Sequence, residues 1–173
     1  MKIVSVILIV VLSLFFVGCN LGVTEDIVRI HIRANSNSSE DQSVKLKVRD
    51  RVVEYITPLI ADCNNGSDVK LCLEKNLNNI KNVVDDELCV NGFSYQSNAR
   101  INNEYFPSRA YGGNVFPADY YDALIVELGS GKGDNWWCVA YPPLCFVGYE
   151  NNESGNIQYK SKIIELINKY FGD

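Results

Sequence analysis

Between residues 135 and 146 the chain reads Asn135-Trp136-Trp137-Cys138-Val139-Ala140-Tyr141-Pro142-Pro143-Leu144-Cys145-Phe146, and this stretch narrows the choice of fold most. It holds both tryptophans, two of the six cysteines and two of the five prolines. Trp136 to Tyr141 is aromatic and β-branched, which predicts a strand. Pro142-Pro143 must end it, because proline offers no N–H to a ladder and restricts the residue before it. The bend returns Cys145 towards Cys138, and a disulfide between them would close a short loop. Such a bridge contributes roughly 2.5 kcal/mol on the chain-entropy estimate. A core strand with a stapled turn is one reading; a rigid aromatic and proline platform for a partner is the other. Trp136 and Trp137 alternate across the strand, so at most one is expected to be deeply buried.

The other marked stretch is at the start. Ile3 to Val17 is apolar apart from Ser5 and Ser13 and follows Met1-Lys2. That is the length of a signal peptide and short of the ~20 residues that span a bilayer. Phe16-Val17-Gly18-Cys19 resembles a bacterial lipoprotein cleavage site, at which Cys19 would be diacylated, although Phe16 stands where leucine is usual. Ordinary cleavage nearby, or an uncleaved anchor running on to Val23, are the alternatives. All three export the remainder. The expected organisation is an export segment over residues 1–19 and one domain over 24–173.

With 173 residues, an apolar share of 47% and a charged share of 21%, that domain can bury a substantial core. The net charge of −5 becomes −6 once residues 1–19 are removed, since they hold Lys2 and no acid. So acidic a chain is not expected to bind nucleic acid, which selects a basic face. Export permits disulfides. Lipidation of Cys19 would leave Cys63, Cys72, Cys89, Cys138 and Cys145, at least one of them free or paired between chains. There is no C-x-x-C and no histidine at ligand spacing, so no metal or cofactor is expected.

Asp26 to Arg33 alternates as a strand, with Val28, Ile30 and Ile32 on one face and Ile27, Arg29, His31 and Arg33 on the other. The basic row is either a solvated face or a seat for an anion or carboxylate of a partner. Ser39-x-x-Gln42 reads as a capping box opening a helix with Val44, Val48, Val52, Tyr55 and Leu59 on its apolar side. Pro58 kinks or ends that helix. Ser67 caps a second, with Val69, Leu73, Leu77, Ile80, Val84 and Leu88 in one stripe, and Cys63 and Cys72 within reach of each other across the intervening turn. Phe93 to Ile101 is expected to fold back at Asn102-Asn103 into Glu104-Tyr105-Phe106. Tyr120 to Leu128, apolar on both faces, predicts a central strand. Gly129-Ser130-Gly131-Lys132-Gly133-Asp134 fails the phosphate-loop spacing, because Val126 and Gly133 stand where glycine and Ser or Thr are required. It reads as a hairpin loop. Tyr159 to Phe171 closes the chain as an amphipathic helix. The fold class is α+β, a single domain with helices on a mostly antiparallel sheet in the order β-α-α-β-β-β-α.

Catalysis would need His31, the one histidine, with Cys138, Cys145 or a serine as nucleophile. Nothing in the spacing assembles such a set, and the chain is read as a non-enzyme. Tyr105, Tyr111, Tyr120, Tyr121, Trp136 and Trp137 offer an alternative, stacking on sugars in a cell-envelope glycan-binding module.

Longer motifs add to this. Arg29-Ile30-His31, Ala34-Asn35-Ser36, Glu40-Asp41-Gln42 and Lys45-Leu46-Lys47-Val48-Arg49-Asp50 resemble the opening of the stage II sporulation protein R family of endospore-forming bacteria. Glu104-Tyr105-Phe106-Pro107, Arg109, Tyr111, Phe116-Pro117-Ala118 with Tyr120, the glycine run with Asn135-Trp136-Trp137-Cys138, and Pro142 to Phe146 extend the resemblance over most of residues 27–146. Asp119 replaces the usual glycine and Arg33 the usual aliphatic. The resemblance implies a protein made in the forespore and exported to the intermembrane space. There it would activate a membrane-embedded aspartic protease, through that enzyme's extracytoplasmic part, so that the mother-cell sigma-E precursor is processed. The membrane would be a further contact, through the export segment or a lipid on Cys19. The interface is expected at Trp136, Trp137, Arg109 and Tyr111, with Arg29 and His31 second.

Overall fold

The computed structural model describes residues 26–111 and 114–143. Cys19, Cys145 and the helix expected at Tyr159 to Phe171 lie outside them, as does any Cys138–Cys145 bridge. Strand β1 (Val28–Arg33) is followed by helices α1 (Ser39–Ile60), α2 (Gly66–Lys75) and α3 (Leu77–Val90). Strands β2 (Ser97–Phe106), β3 (Arg109–Tyr111), β4 (Asn114–Phe116), β5 (Asp119–Leu128) and β6 (Asn135–Tyr141) complete the order. The main sheet runs β2-β5-β1-β6 and β3 pairs with β4 apart from it. β1 lies parallel to β5; the β1–β6 and β2–β5 pairs are antiparallel. The α+β class and the mostly antiparallel sheet are as the patterning predicts. No helix among the described residues is long and apolar enough to cross a membrane.

The period-two split of β1 builds both layers. Val28, Ile30 and Ile32 face the helices and pack with Val44, Val48, Val52 and Ile56 of α1, Val69 and Leu73 of α2, and Ile80, Val84 and Leu88 of α3. β5 is central, as expected, and contributes Leu124, Val126 and Leu128 to the same core. On the far face Ile27, Phe106, Tyr121, Ala123, Ile125 and Val139 form a second cluster that the β3–β4 hairpin closes with Phe116. β6 stops at Tyr141, immediately before Pro142-Pro143, as proline chemistry requires.

Five local expectations are corrected. The cap of α1 is Ser38, whose Oγ accepts from the Asp41 N–H at 3.1 Å, and not Ser39. The shift frees the Asp41 side chain to turn inward. The second helix is capped by Asn65, whose Oδ1 accepts from the Asp68 N–H at 2.8 Å, and not by Ser67. Its single stripe is divided into two helices at Asn76, whose side chain donates to the Cys72 carbonyl at 2.8 Å. β2 runs straight through Asn102-Asn103, because β5 supplies a ladder partner at each position, with Asn102 opposite Ala123 and Asn103 opposite Asp122. The glycine run is no hairpin loop, since β1 lies between β5 and β6. It crosses the end of β1 instead. Cys63, Cys72 and Cys89 are free thiols, and the Cys72 Sγ donates to the Leu59 carbonyl at 3.2 Å.

The crossing loop is held by the turn before α1. The Ser130 N–H donates to Asn35 Oδ1 at 2.9 Å, the Gly133 N–H to the Ala34 carbonyl at 2.8 Å and the Asp134 N–H to Asn37 Oδ1 at 2.6 Å. Lys45, buried on α1, reaches the Asp134 carbonyl at 3.0 Å. Gly133 permits the closest approach: a Cβ there would lie 2.2 Å from the Ser36 carbonyl oxygen. Gly133→Ala is therefore expected to cost about 1–3 kcal/mol through forced separation of loop and turn, measured as a lower urea midpoint.

A candidate binding face on the open side of the sheet

The face away from the helices carries Arg29, His31 and Arg33 from β1, Glu104 from β2, Glu127 from β5, and Asn135 and Trp137 from β6. Register sets the rows. His31 lies between Ile125 and Trp137, and Arg33 between Glu127 and Asn135. Residues from three distant stretches of sequence therefore meet on one surface. Its middle is an open groove of about 500 Å³, floored by His31 and Trp137 and walled by Glu104, Pro107 and the loop residues Gly131 to Gly133.

Arg29 is fully buried. Its Nε donates to the Cys138 carbonyl and its Nη2 to the Tyr111 hydroxyl, both at 3.2 Å, and Nη1 has no partner. Its guanidinium carbon lies 4.5, 5.0, 5.6 and 5.8 Å from the ring centres of Phe106, Tyr121, Tyr111 and Phe116. Four aromatic rings thus surround a cation that has no carboxylate partner among the described residues. Burial pulls its pKa down and Tyr111 opposes this; the guanidinium nonetheless stays protonated. Tyr111 then donates to the Trp137 carbonyl at 3.1 Å, which ties the β3–β4 hairpin to β6. The solvated reading of the basic row fails at Arg29, because β3–β4 covers it.

His31 is 4% exposed. Its Nδ1 lies 3.3 Å from Glu104 Oε2 and its Nε2 2.9 Å from Asn135 Oδ1, with Trp137 tilted against the ring at 5.5 Å. An imidazolium could donate to both oxygens, a neutral ring to only one. Burial prevails and lowers the pKa, although Asn135 and Glu104 work against it and Arg33 works with it. The unfolded chain takes up this proton near its ordinary value of about 6.5 and the folded chain only at lower pH, so acidification through that window favours unfolding. The urea midpoint is expected to fall between pH 7.5 and 5.5, and to fall less in His31→Gln; an equal fall in both would rule this out.

Arg33 pairs with Glu104 and Glu127, and Arg100 also pairs with Glu127. Glu104 and Glu127 are thereby committed to cations of the same face. Arg109 is exposed and lies 4.9 Å above the Trp137 ring, and Lys132 is exposed on the crossing loop. Neither has an ion-pair partner among the described residues.

The expected interface residues are thus distributed unequally. Trp137, Arg109 and Tyr111 stand together at the groove and its hairpin; Arg29 lies beneath them and His31 forms the floor. Trp136 is on the helix side, packed against the main core with Arg49 5.7 Å from its ring. The two tryptophans alternate as predicted, and both are half-buried. Glu104 and Asn135 were not singled out, though the parity of Glu104 with Phe106 places both on the same side of β2. Cys138 alternates with Trp137 and so follows the helix face, away from His31. No nucleophile reaches His31 among the described residues, both of whose nitrogens face Glu104 and Asn135. The six aromatics expected as a sugar platform are divided: Tyr111 and Tyr121 enclose Arg29, while Tyr105, which lines the groove, meets Tyr120 edge to face at 5.7 Å.

Residues 24–151 match the family model described as stage II sporulation protein R. The chain is also 33% identical over 132 residues to stage II sporulation protein R of Bacillus subtilis (strain 168), covering 76% of this chain and 59% of that relative. The chain therefore spans a little under two thirds of the length of the curated relative it matches. No solved structure matches.

Proposed function

Because the chain belongs to the stage II sporulation protein R family, a family of sporulation proteins, we propose that it is an exported signal rather than an enzyme. It activates a membrane-embedded aspartic protease from the extracytoplasmic side, and the protease then removes the pro-sequence of the mother-cell sigma factor E. Residues 1–19 direct export from the forespore into the intermembrane space, and lipid on Cys19 would hold the domain at the membrane that produced it. A Cys138–Cys145 bridge would fix the turn after β6. Activation is a population shift: the domain binds the active state of the protease more tightly than the inactive one.

The observation that carries this reading is the convergence of Arg29-x-His31, Glu104 to Tyr111 and Asn135 to Trp137, the motif segments of the family resemblance, around one open groove. Its histidine is buried and hydrogen-bonded where a general base would need access to substrate. Exposed Arg109 and the half-buried Trp137 beneath it are of the kinds that dominate protein recognition.

The test is an immunoblot for the sigma-E precursor in a sporulating host lacking this gene, with and without complementation by the intact gene. Precursor should persist in the deletion and disappear on complementation. Normal conversion in the deletion would reject the reading.

A further inference from the structure

In a chain of net charge −5, three cations that have no carboxylate partner among the described residues gather on the Trp137 side of the sheet. Arg29 lies below, with its hydrogen bonds going to neutral oxygens and its Nη1 unmet. Arg109 lies above Trp137, and Lys132 stands on the far wall of the groove. Glu104 and Glu127 of this face are held by Arg33, Arg100 and His31. A buried charge without a counterion acts through a low dielectric, so the field of Arg29 adds to that of the exposed pair. The groove of about 500 Å³ is open rather than enclosed, so a segment of a larger partner can lie across it.

We propose that this groove receives an acidic, extended segment of a protein partner. Arg109 and Lys132 take its carboxylates, and Trp137 carries its apolar atoms. The inference deepens the signalling reading by giving the chemistry of the segment through which the protease would be engaged. It predicts an acidic extracytoplasmic loop on the partner. Charge complementarity of this kind accelerates encounter and selects the partner, and is weakened by salt.

The full chain in mild detergent would be titrated with a glutamate-rich twelve-residue peptide while tryptophan fluorescence is followed. A glutamine-rich peptide of the same length is the reference. Saturable binding of the glutamate peptide is expected, tighter than the glutamine peptide and weakened by added salt. The double variant Arg109→Glu, Lys132→Glu should lose at least tenfold in affinity. Lys47→Glu with Lys75→Glu, the same change in net charge on exposed positions of α1 and α2, should lose less than twofold. Equal binding of the two peptides, or equal losses in the two double variants, would overturn the proposal. Either failure would leave the signalling reading standing wherever precursor conversion still requires the gene. Conversion without the gene would reject that reading whatever the peptides do.

Discussion

Arg29→Ala is expected to lower stability by about 3–5 kcal/mol, while Arg29→Met costs no more than about 2 kcal/mol. Truncation removes the donors to the Cys138 carbonyl and the Tyr111 hydroxyl, and leaves a cavity among Phe106, Tyr121, Tyr111 and Phe116. A buried carbonyl without its donor costs about 1–3 kcal/mol, and each desolvated cation–ring contact contributes up to about 2 kcal/mol. Methionine refills much of that space and carries no charge to desolvate. Its sulfur also packs favourably on aromatic rings. Urea unfolding of both variants separates the two contributions. Because Tyr111 links Arg29 to the Trp137 carbonyl, the alanine variant should also expose the β3–β4 hairpin to limited proteolysis earlier than the wild type. Equal losses from alanine and methionine would mean that the charge, and not the packing, holds the hairpin.

The second large effect is at Asp41. This carboxylate is 5% exposed and accepts from the Tyr95 hydroxyl at 2.6 Å, from Asn35 Nδ2 at 2.9 Å and from the Ser36 hydroxyl. Burial alone would raise its pKa, but the bonds from Ser36, Tyr95 and Asn35 outweigh burial and hold it below the usual range. The same carboxylate, together with burial, pushes the Tyr95 phenol up. Asp41→Ala should cost about 2–4 kcal/mol, since it strands three donors and loosens the turn that holds the crossing loop. The sign of the pH dependence follows from a depressed carboxylate. Its contribution is present above the ordinary value of about 3.9 and lost as pH falls through the lower folded value. The stability gap between wild type and Asp41→Ala should accordingly be full at pH 7 and close in strong acid. A gap that does not change with pH would show that packing, and not ionisation, is what the substitution removes.

Arg29 meets Tyr111 and the Cys138 carbonyl, and Asp41 meets Tyr95, across long separations in sequence, and that is where the chain was hardest to read. The alternation of β1 was legible because its aliphatic residues and its basic residues separate cleanly by parity. The centrality of β5 followed from apolar residues on both faces, and the end of β6 from two prolines. Asn102-Asn103 misled, since an isolated turn signal cannot reveal that β5 pairs with every residue of β2. The glycine run misled in the same way: nothing local tells that the parallel β1–β5 pair places β1 between β5 and β6. At the candidate site Arg29 and His31 were visible as a row, and Trp137 and Arg109 as contact chemistry for a partner in type only. Burial of the row was not visible, because the hairpin that covers Arg29 comes some eighty positions later, with Tyr111 bonded to it across a separation of 82. The Ala34-Asn35-Ser36 and Asp41-Gln42 segments of the family resemblance turn out to be the clamp on the crossing loop, which positions Lys132 beside the groove.

Under the proposal, the signalling contact is made at the open groove. Sigma-E precursor conversion would be followed by immunoblot in sporulating cells whose only copy of the gene carries Arg109→Glu with Lys132→Glu. Cells carrying Lys47→Glu with Lys75→Glu are the reference, with chain levels in the exported fraction matched. Precursor should accumulate in the first strain and be converted normally in the second. Equal conversion in both would contradict the assignment of this face.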